Sequence, residues 1–152
     1  MSVAALSIAQ MAESNADAFH RDGYLVLRGA VDQTEIDTLL ERIGWLCERE
    51  TGLTWTSIRS VSLARTLATR PKLRRRIVEQ ARVPAWLTNF AAHPALTRAA
   101  QSVLNEPVQL LRHQDLNLAP PMDCRSIGVW HQDHFYTRGS TRTLRAVVPL
   151  QD

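Results

Sequence analysis

The segment Trp130-His131-Gln132-Asp133-His134-Phe135-Tyr136 contains the residues best suited to chemistry. In extended backbone, side chains two positions apart point to the same face, so His131 and Asp133 can approach one metal ion. An imidazole and a carboxylate are two of the three ligands in the facial triad that holds non-haem Fe(II), with positions left open for O₂ and a co-substrate. The spacing therefore predicts an iron site with His131 and Asp133 as ligands.

The neighbours of this pair carry weaker signals. His134 lies one position out of phase with Asp133, so we do not expect it to be a ligand. Trp130 and Tyr136 are candidates for the substrate pocket, although aromatic side chains there serve equally well as packing residues. Cys124 has no second cysteine at zinc-binding spacing, which argues against a zinc site.

The tripeptide His-Gln-Asp also occurs earlier, at residues 113–115. In a strand, His113 and Asp115 share a face with Asn117 and could complete an unusual metal site with His131. We favour the alternative in which these residues form a polar, hydrogen-bonded face that lines the pocket. Asn117 is then a candidate cofactor-binding residue.

The residue patterns predict helices first and strands afterwards. The predicted helices are Ala16–Asp22, Gln33–Glu50 with a capping box formed by Asp32 and Glu35, Pro71–Gln80 and Pro94–Leu104. Residues 51–70 are expected to be loop with a short helical piece, and the predicted strands are Tyr24–Leu27, Val108–Arg112, Ile127–Trp130 and Thr141–Leu150. We therefore expect a single α+β domain over 1–152, with a helical part at about 13–105 and a β part at about 107–152.

The composition fits an ordinary globular protein. The chain has 152 residues, of which 45% are hydrophobic and 22% charged. We expect no signal peptide and no membrane partner, because the first residues lack a basic leader and no apolar run is long enough to cross a bilayer. Cys47 and Cys124 are expected to be reduced, and the cytoplasm is the default compartment.

Positive charge is concentrated in one block, where eight basic residues are opposed only by Glu79. The block consists of Arg59, Arg65, Arg70, Lys72, Arg74, Arg75, Arg76 and Arg82. Such a block can attract the phosphates of nucleic acid or of a coenzyme. We favour a solvated helix face, because the aromatic stacking residues of a single-strand binder are missing there.

Four segments, taken in chain order, carry a resemblance to a known family. They are Phe19–Leu27, Ala119-Pro120-Pro121, Trp130–Asp133 with Tyr136, and Val147–Asp152. The chain resembles the phytanoyl-CoA dioxygenase family of Fe(II)- and 2-oxoglutarate-dependent oxygenases. In that family a helix-to-strand entry comes first, a Pro pair often preceded by lysine follows, and the iron motif and a further strand come last.

The resemblance implies a jelly-roll (double-stranded β-helix) core with helices packed on one side. It makes His131 and Asp133 the first two iron ligands. Gln132, between them, would either face the opposite side of the strand or turn toward the co-substrate, and it is a candidate cofactor-binding residue. The implied reaction uses Fe(II), 2-oxoglutarate and O₂ to hydroxylate a small organic substrate. In one departure from the family pattern, Ala119 replaces the lysine before the Pro pair.

In a second departure, the family's distal histidine and its 2-oxoglutarate-binding arginine fall beyond Asp152. We therefore interpret the chain as the N-terminal part of an oxygenase with a truncated, partial jelly roll. Alone it should bind Fe(II) weakly, show no turnover, and self-associate through unpaired strands. The alternatives are a non-catalytic truncated jelly-roll module or remnant, and a basic nucleic-acid-binding domain.

Overall fold

The computed structural model describes residues 16–57, 59–111, 114–120 and 142–150. Helices follow one another through most of this part of the chain. They are α1 (16–22), α2 (Gln33–Thr51), α3 (Val61–Thr69), α4 (Pro71–Ala81), α5 (Ala85–Ala91) and α6 (Pro94–Leu104). None of the described helices is long and apolar enough to cross a membrane.

Helix α1 was predicted correctly and ends at Gly23. The Gly23 N–H donates to the Phe19 carbonyl at 2.7 Å, and its φ of 78° is a left-handed conformation that glycine adopts without strain. The strand predicted next is wrong, because residues 24–27 have no regular structure. Tyr24 and Val26 are 66% and 62% exposed. An apolar run makes a strand only where another strand accepts its backbone hydrogen bonds.

Helix α2 confirms the longest predicted helix, but not the predicted capping box. The Asp32 side chain makes no capping hydrogen bond; its backbone carbonyl accepts from Glu35 and Ile36 at 3.1 and 3.2 Å. The Glu35 carboxylate instead lies 3.3 Å from Nε2 of His93. The helix ends at Gly52, which has a φ of 72°. The contact with His93 joins residues that are 58 positions apart in the sequence, so local sequence patterns do not reveal it.

Helices α3 and α4 follow each other with Arg70 between them. The Ser60 hydroxyl caps α3 by accepting from the Leu63 N–H at 3.4 Å, and Pro71 occupies the first turn of α4. The short helical piece expected within 51–70 is α3, and α4 confirms the helix expected from Pro71.

Helix α5 was missed by sequence analysis, whereas α6 was predicted with its bounds. The seven residues of α5 follow Pro84, and so short a helix carries too few turns for a clear apolar period. Helix α6 begins after His93, whose Nδ1 accepts from the Ala95 N–H at 3.2 Å, and ends at Asn105 with a φ of 53°. His93 is therefore the N-cap of α6.

The hydrophobic core lies where α2 and α3 pack on α4. Its buried members are Leu39, Ile43, Leu46, Cys47, Leu63, Leu67, Ile77, Ala81 and Leu116. Eight of these come from α2, α3 and α4, and Leu116 comes from residues 114–120, which lie outside the helices. The helical spacing of the α2 members explains why one face of that helix is buried.

The predicted partial jelly roll is wrong for the part of the chain that the structure describes. Residues 107–111, 114–120 and 142–150 form no strand and no sheet. Residues 114–120 nevertheless alternate like a strand, with Leu116 and Pro120 buried and Asp115, Asn117 and Ala119 exposed. This segment packs on the helices through its side chains, without a backbone ladder. The predicted strand Ile127–Trp130 lies outside the described residues.

Trp55, which follows α2 in the sequence, packs closely against Gly44 of that helix. A Cβ placed on Gly44 would lie 2.7 Å from three atoms of the Trp55 indole ring. The Trp55 backbone N–H donates to the Glu48 carboxylate, which holds the residue beside α2. Only glycine at position 44 lets this ring lie directly on the helix.

We predict that Gly44→Ala lowers the free energy of unfolding by about 1–3 kcal/mol, because the new methyl group overpacks against the indole. In an exposed helix position the same change would stabilise the protein by about 1 kcal/mol, because alanine has the higher helix propensity. The sign of the change in stability therefore shows whether the contact with the Trp55 ring dominates. Urea unfolding measures the difference, with Thr38→Ala on the exposed face of α2 as the control. A stabilised Gly44→Ala protein would show that the ring moves away freely.

Candidate functional site

The structure describes one of the residues assigned to the site from the sequence. Asn117 is exposed and lies on the 114–120 segment. The other assigned residues, Trp130, His131, Gln132, Asp133 and Tyr136, lie outside the described residues, as do His113, Cys124 and His134. The iron-ligand assignments therefore stay predictions from the sequence.

The first His-Gln-Asp copy anchors the chain to the helices. The Arg82 guanidinium at the end of α4 donates to the Asp115 carboxylate. The Thr88 hydroxyl of α5 donates to the side-chain oxygen of Gln114 at 3.1 Å, and the Gln114 amide group donates to the Leu111 carbonyl. Asp115 is thus engaged by an arginine. This arrangement favours the hydrogen-bonded interpretation of the first copy over a metal site.

The 142–150 segment is anchored at a different place on the helical body. An Arg142 guanidinium nitrogen lies 3.2 Å from the Glu106 carboxylate, and another donates to the Leu104 carbonyl at the end of α6. Further along, Leu150 is partly buried against the core. Both described segments that flank residues 121–141 in sequence are therefore bound to the helices.

Ion pairs offset part of the basic block predicted from the sequence. Arg75 lies 2.7 Å from Glu79, one turn along α4, and Arg76 lies 2.6 Å from Glu50 of α2. The Glu50 carboxylate also accepts from Arg49, at 3.0 Å. With Arg82 bound to Asp115, three arginines of the block have carboxylate partners. These contacts support a structural role for the block, because pairing lowers the positive charge available to a polyanion.

A shallow, open cavity of about 500 Å³ runs along the exposed side of α4. Its described lining is Pro71, Arg74, Arg75, Val78, Glu79 and Arg82. It is cationic, but Glu79 holds Arg75 and Asp115 holds Arg82. The described lining contains no histidine and one carboxylate, which is a poor ligand set for iron.

Cys47 is excluded as a nucleophile or metal ligand. Its side chain is 1% exposed, and burial raises the pKa of the thiol from 9.0 to about 11. The thiolate is the reactive form, and the apolar core disfavours it. Among the residues that the structure describes, no three His, Cys, Asp or Glu side chains come close enough to hold a metal ion.

Comparison with known proteins identifies an oxygenase family. The sequence profile of phytanoyl-CoA dioxygenase (PhyH) matches residues 19–151, so the chain belongs to that family. The resemblance inferred from the sequence is confirmed. Members generally depend on Fe(II) and 2-oxoglutarate and use O₂ with small-molecule substrates. No curated protein and no solved structure matches the chain.

We predict that Cys47 in a Cys124→Ser protein reacts with a thiol reagent only as fast as the chain unfolds, because the folded thiol is buried and protonated. The pKa difference also makes stability depend on pH. Between pH 9 and about 11 the unfolded thiol loses its proton while the folded one keeps it, so this contribution to stability falls as pH rises through that window. Rapid labelling of Cys47 in the absence of urea would contradict the predicted protection of this thiol in the folded protein.

Proposed function

We propose that this protein is a non-haem Fe(II)- and 2-oxoglutarate-dependent dioxygenase that hydroxylates a small organic substrate. The observation that carries the proposal is the match to the phytanoyl-CoA dioxygenase family over residues 19–151, a range that contains the His131-x-Asp133 pair. A cytoplasmic location is part of the proposal.

In this proposal the His131 imidazole and the Asp133 carboxylate would hold the metal, which would supply O₂ activation coupled to the oxidative decarboxylation of 2-oxoglutarate. Gln132 and Asn117 contact the co-substrate, and Trp130 and Tyr136 line the substrate pocket. Asn117 is suited to this role because its side chain lies on the exposed face of its segment, opposite the buried Leu116. The amide can both donate and accept a hydrogen bond.

Metal binding in this arrangement depends on the protonation of both ligands. A histidine binds a metal through a neutral ring nitrogen, and an aspartate binds through its ionised carboxylate. Acidification should therefore release the metal as protons compete for the ligands.

Self-association is a further part of the proposal. Large apolar side chains are exposed in segments outside the helices, and these are Tyr24, Val26, Leu27, Leu110, Leu111 and Val147. Apolar surface of this kind favours contact with another copy of the chain. Sedimentation at increasing concentration tests this point, and a protein that stays monomeric at all concentrations would contradict it.

We predict that His131→Ala and Asp133→Ala each lower Fe(II) affinity by about tenfold or more, because each removes one protein ligand. Anaerobic calorimetric titration of the 152-residue chain measures the affinity. His134→Ala is the matched control: it removes an imidazole from the same segment, one position out of phase, and should leave affinity unchanged.

Two outcomes would count against the proposal. One is Fe(II) binding that survives both His131→Ala and Asp133→Ala. The other is an equal loss in His134→Ala, since that would show a nonspecific histidine effect. An increase in Fe(II) affinity on adding 2-oxoglutarate would support the co-substrate assignment, because the co-substrate itself supplies metal ligands.

A further inference from the structure

His93 stands at the start of α6 and uses both of its ring nitrogens. Nδ1 accepts from the Ala95 N–H at 3.2 Å, and Nε2 lies 3.3 Å from a carboxylate oxygen of Glu35 in α2. Because Pro94 has no N–H, the Ala95 N–H is the first amide donor of α6. One side chain therefore caps a helix and contacts a carboxylate on another helix. We call these two contacts the His93 latch.

The two contacts of the latch require one protonation state of the ring. A neutral imidazole has one nitrogen that donates and one that accepts, and the accepting nitrogen carries no proton. With Nδ1 as the acceptor, the ring proton lies on Nε2, which is the nitrogen that faces Glu35. Protonation turns Nδ1 into a donor, and a donor cannot accept from the Ala95 N–H. The charged ring keeps its attraction to Glu35 but no longer caps α6.

The charges around the ring do not make up for a lost cap. In the part of the chain that the structure describes, Glu35 is the charged group in contact with the ring, and Asp37 of the same helix accepts from Gln33 instead. Helix α5 has no ionisable side chain, and α6 has one, Arg98, five positions after His93. The Glu35 side chain is 45% exposed, and an exposed pair of this kind stabilises a protein less than a helix cap typically does.

The position of α6 makes the latch a local device. The buried residue of α6, Val103, is not part of the core cluster that joins α2, α3 and α4. That cluster contains one ionisable side chain, Cys47, and burial raises the pKa of its thiol to about 11. Loss of the cap should therefore free the first turn of α6 while the core stays folded.

We infer that His93 is a pH-sensitive latch, which holds the first turn of α6 when the ring is neutral and releases it when the ring is protonated. Histidine is the side chain that ordinarily changes its charge between about pH 5 and pH 8. The neutral ring is the one that caps, so the order of the first turn is present at the upper end of this range and is lost as the pH falls. The latch uses residues of α2 and the start of α6, and it does not depend on the proposed metal site.

The test is amide hydrogen exchange, followed by NMR on the metal-free full chain at about pH 5 and pH 8, with each rate corrected for the intrinsic effect of pH. Ala95 reports on the cap itself, and Leu96 and Thr97 donate to the His93 carbonyl at 3.0 and 3.1 Å. We expect the protection of these three amides to fall about threefold to tenfold at the lower pH, as for removal of a helix cap. The amide of Leu46 in the core should keep its protection.

Three variants separate the latch from other effects of pH. In His93→Asn the side-chain oxygen can cap the same N–H but does not titrate, so the protection of Ala95 should be equal at both pH values. Glu35→Gln removes the carboxylate and leaves Nδ1 in place, so the loss at the lower pH should persist. His20→Asn is the matched control, because it removes an exposed imidazole from α1, and it should behave like wild type.

Equal protection of Ala95 at the two pH values in the wild-type chain would overturn the inference. A loss of protection that His93→Asn retains would overturn it as well, and so would a parallel loss at Leu46, which would show unfolding of the whole protein. Nitrogen chemical shifts of the ring give a direct second measurement. They should show Nδ1 without a proton at the higher pH, and a proton on Nδ1 of the neutral ring would contradict the latch.

Discussion

Burial of one face of α2 is the constraint on which the rest of the structure depends. Ile43, Leu46 and Cys47 are at most 2% exposed, and they pack with residues of α3 and α4. Hydrophobic burial is not directional, so the core that joins these helices also accepts Leu116 from outside them. The segment that leads toward the metal motif is consequently held by the same interaction that forms the helical body, and a loss of core packing would release both.

Polar contacts give this apolar association its geometry. The Arg82–Asp115 and Arg142–Glu106 pairs join segments without regular structure to helix ends, whereas Arg76–Glu50 joins two helices. The Arg82–Asp115 and Arg142–Glu106 pairs are exposed, of the kind that contributes only about 0–1 kcal/mol. Their value lies in selecting one placement among several that burial alone would allow. The basic block accordingly contributes to the architecture of the protein, a function that its charge alone does not reveal.

The sequence predicted most of the helices because their signals are local. The apolar spacing of α2, Pro71 at the start of α4, and Asn105 after α6 each act within a few residues. The failures come from partners distant in sequence. Residues 24–27 and 107–111 have strand-like composition, but strand formation needs a neighbouring strand, which composition does not specify. At the site, two identical His-Gln-Asp copies could be ranked only by context, and the Arg82 contact to Asp115 gives the first copy a structural role.

We propose that His131 and Asp133 bind iron in a chain that belongs to the phytanoyl-CoA dioxygenase family. X-ray absorption at the iron edge of the anaerobic Fe(II) complex tests this claim most directly, because it identifies the atoms bound to the metal. We expect nitrogen and oxygen ligands with an imidazole scattering signature that disappears in His131→Ala. Sulfur ligation, or an imidazole signature that persists in that variant, would contradict it.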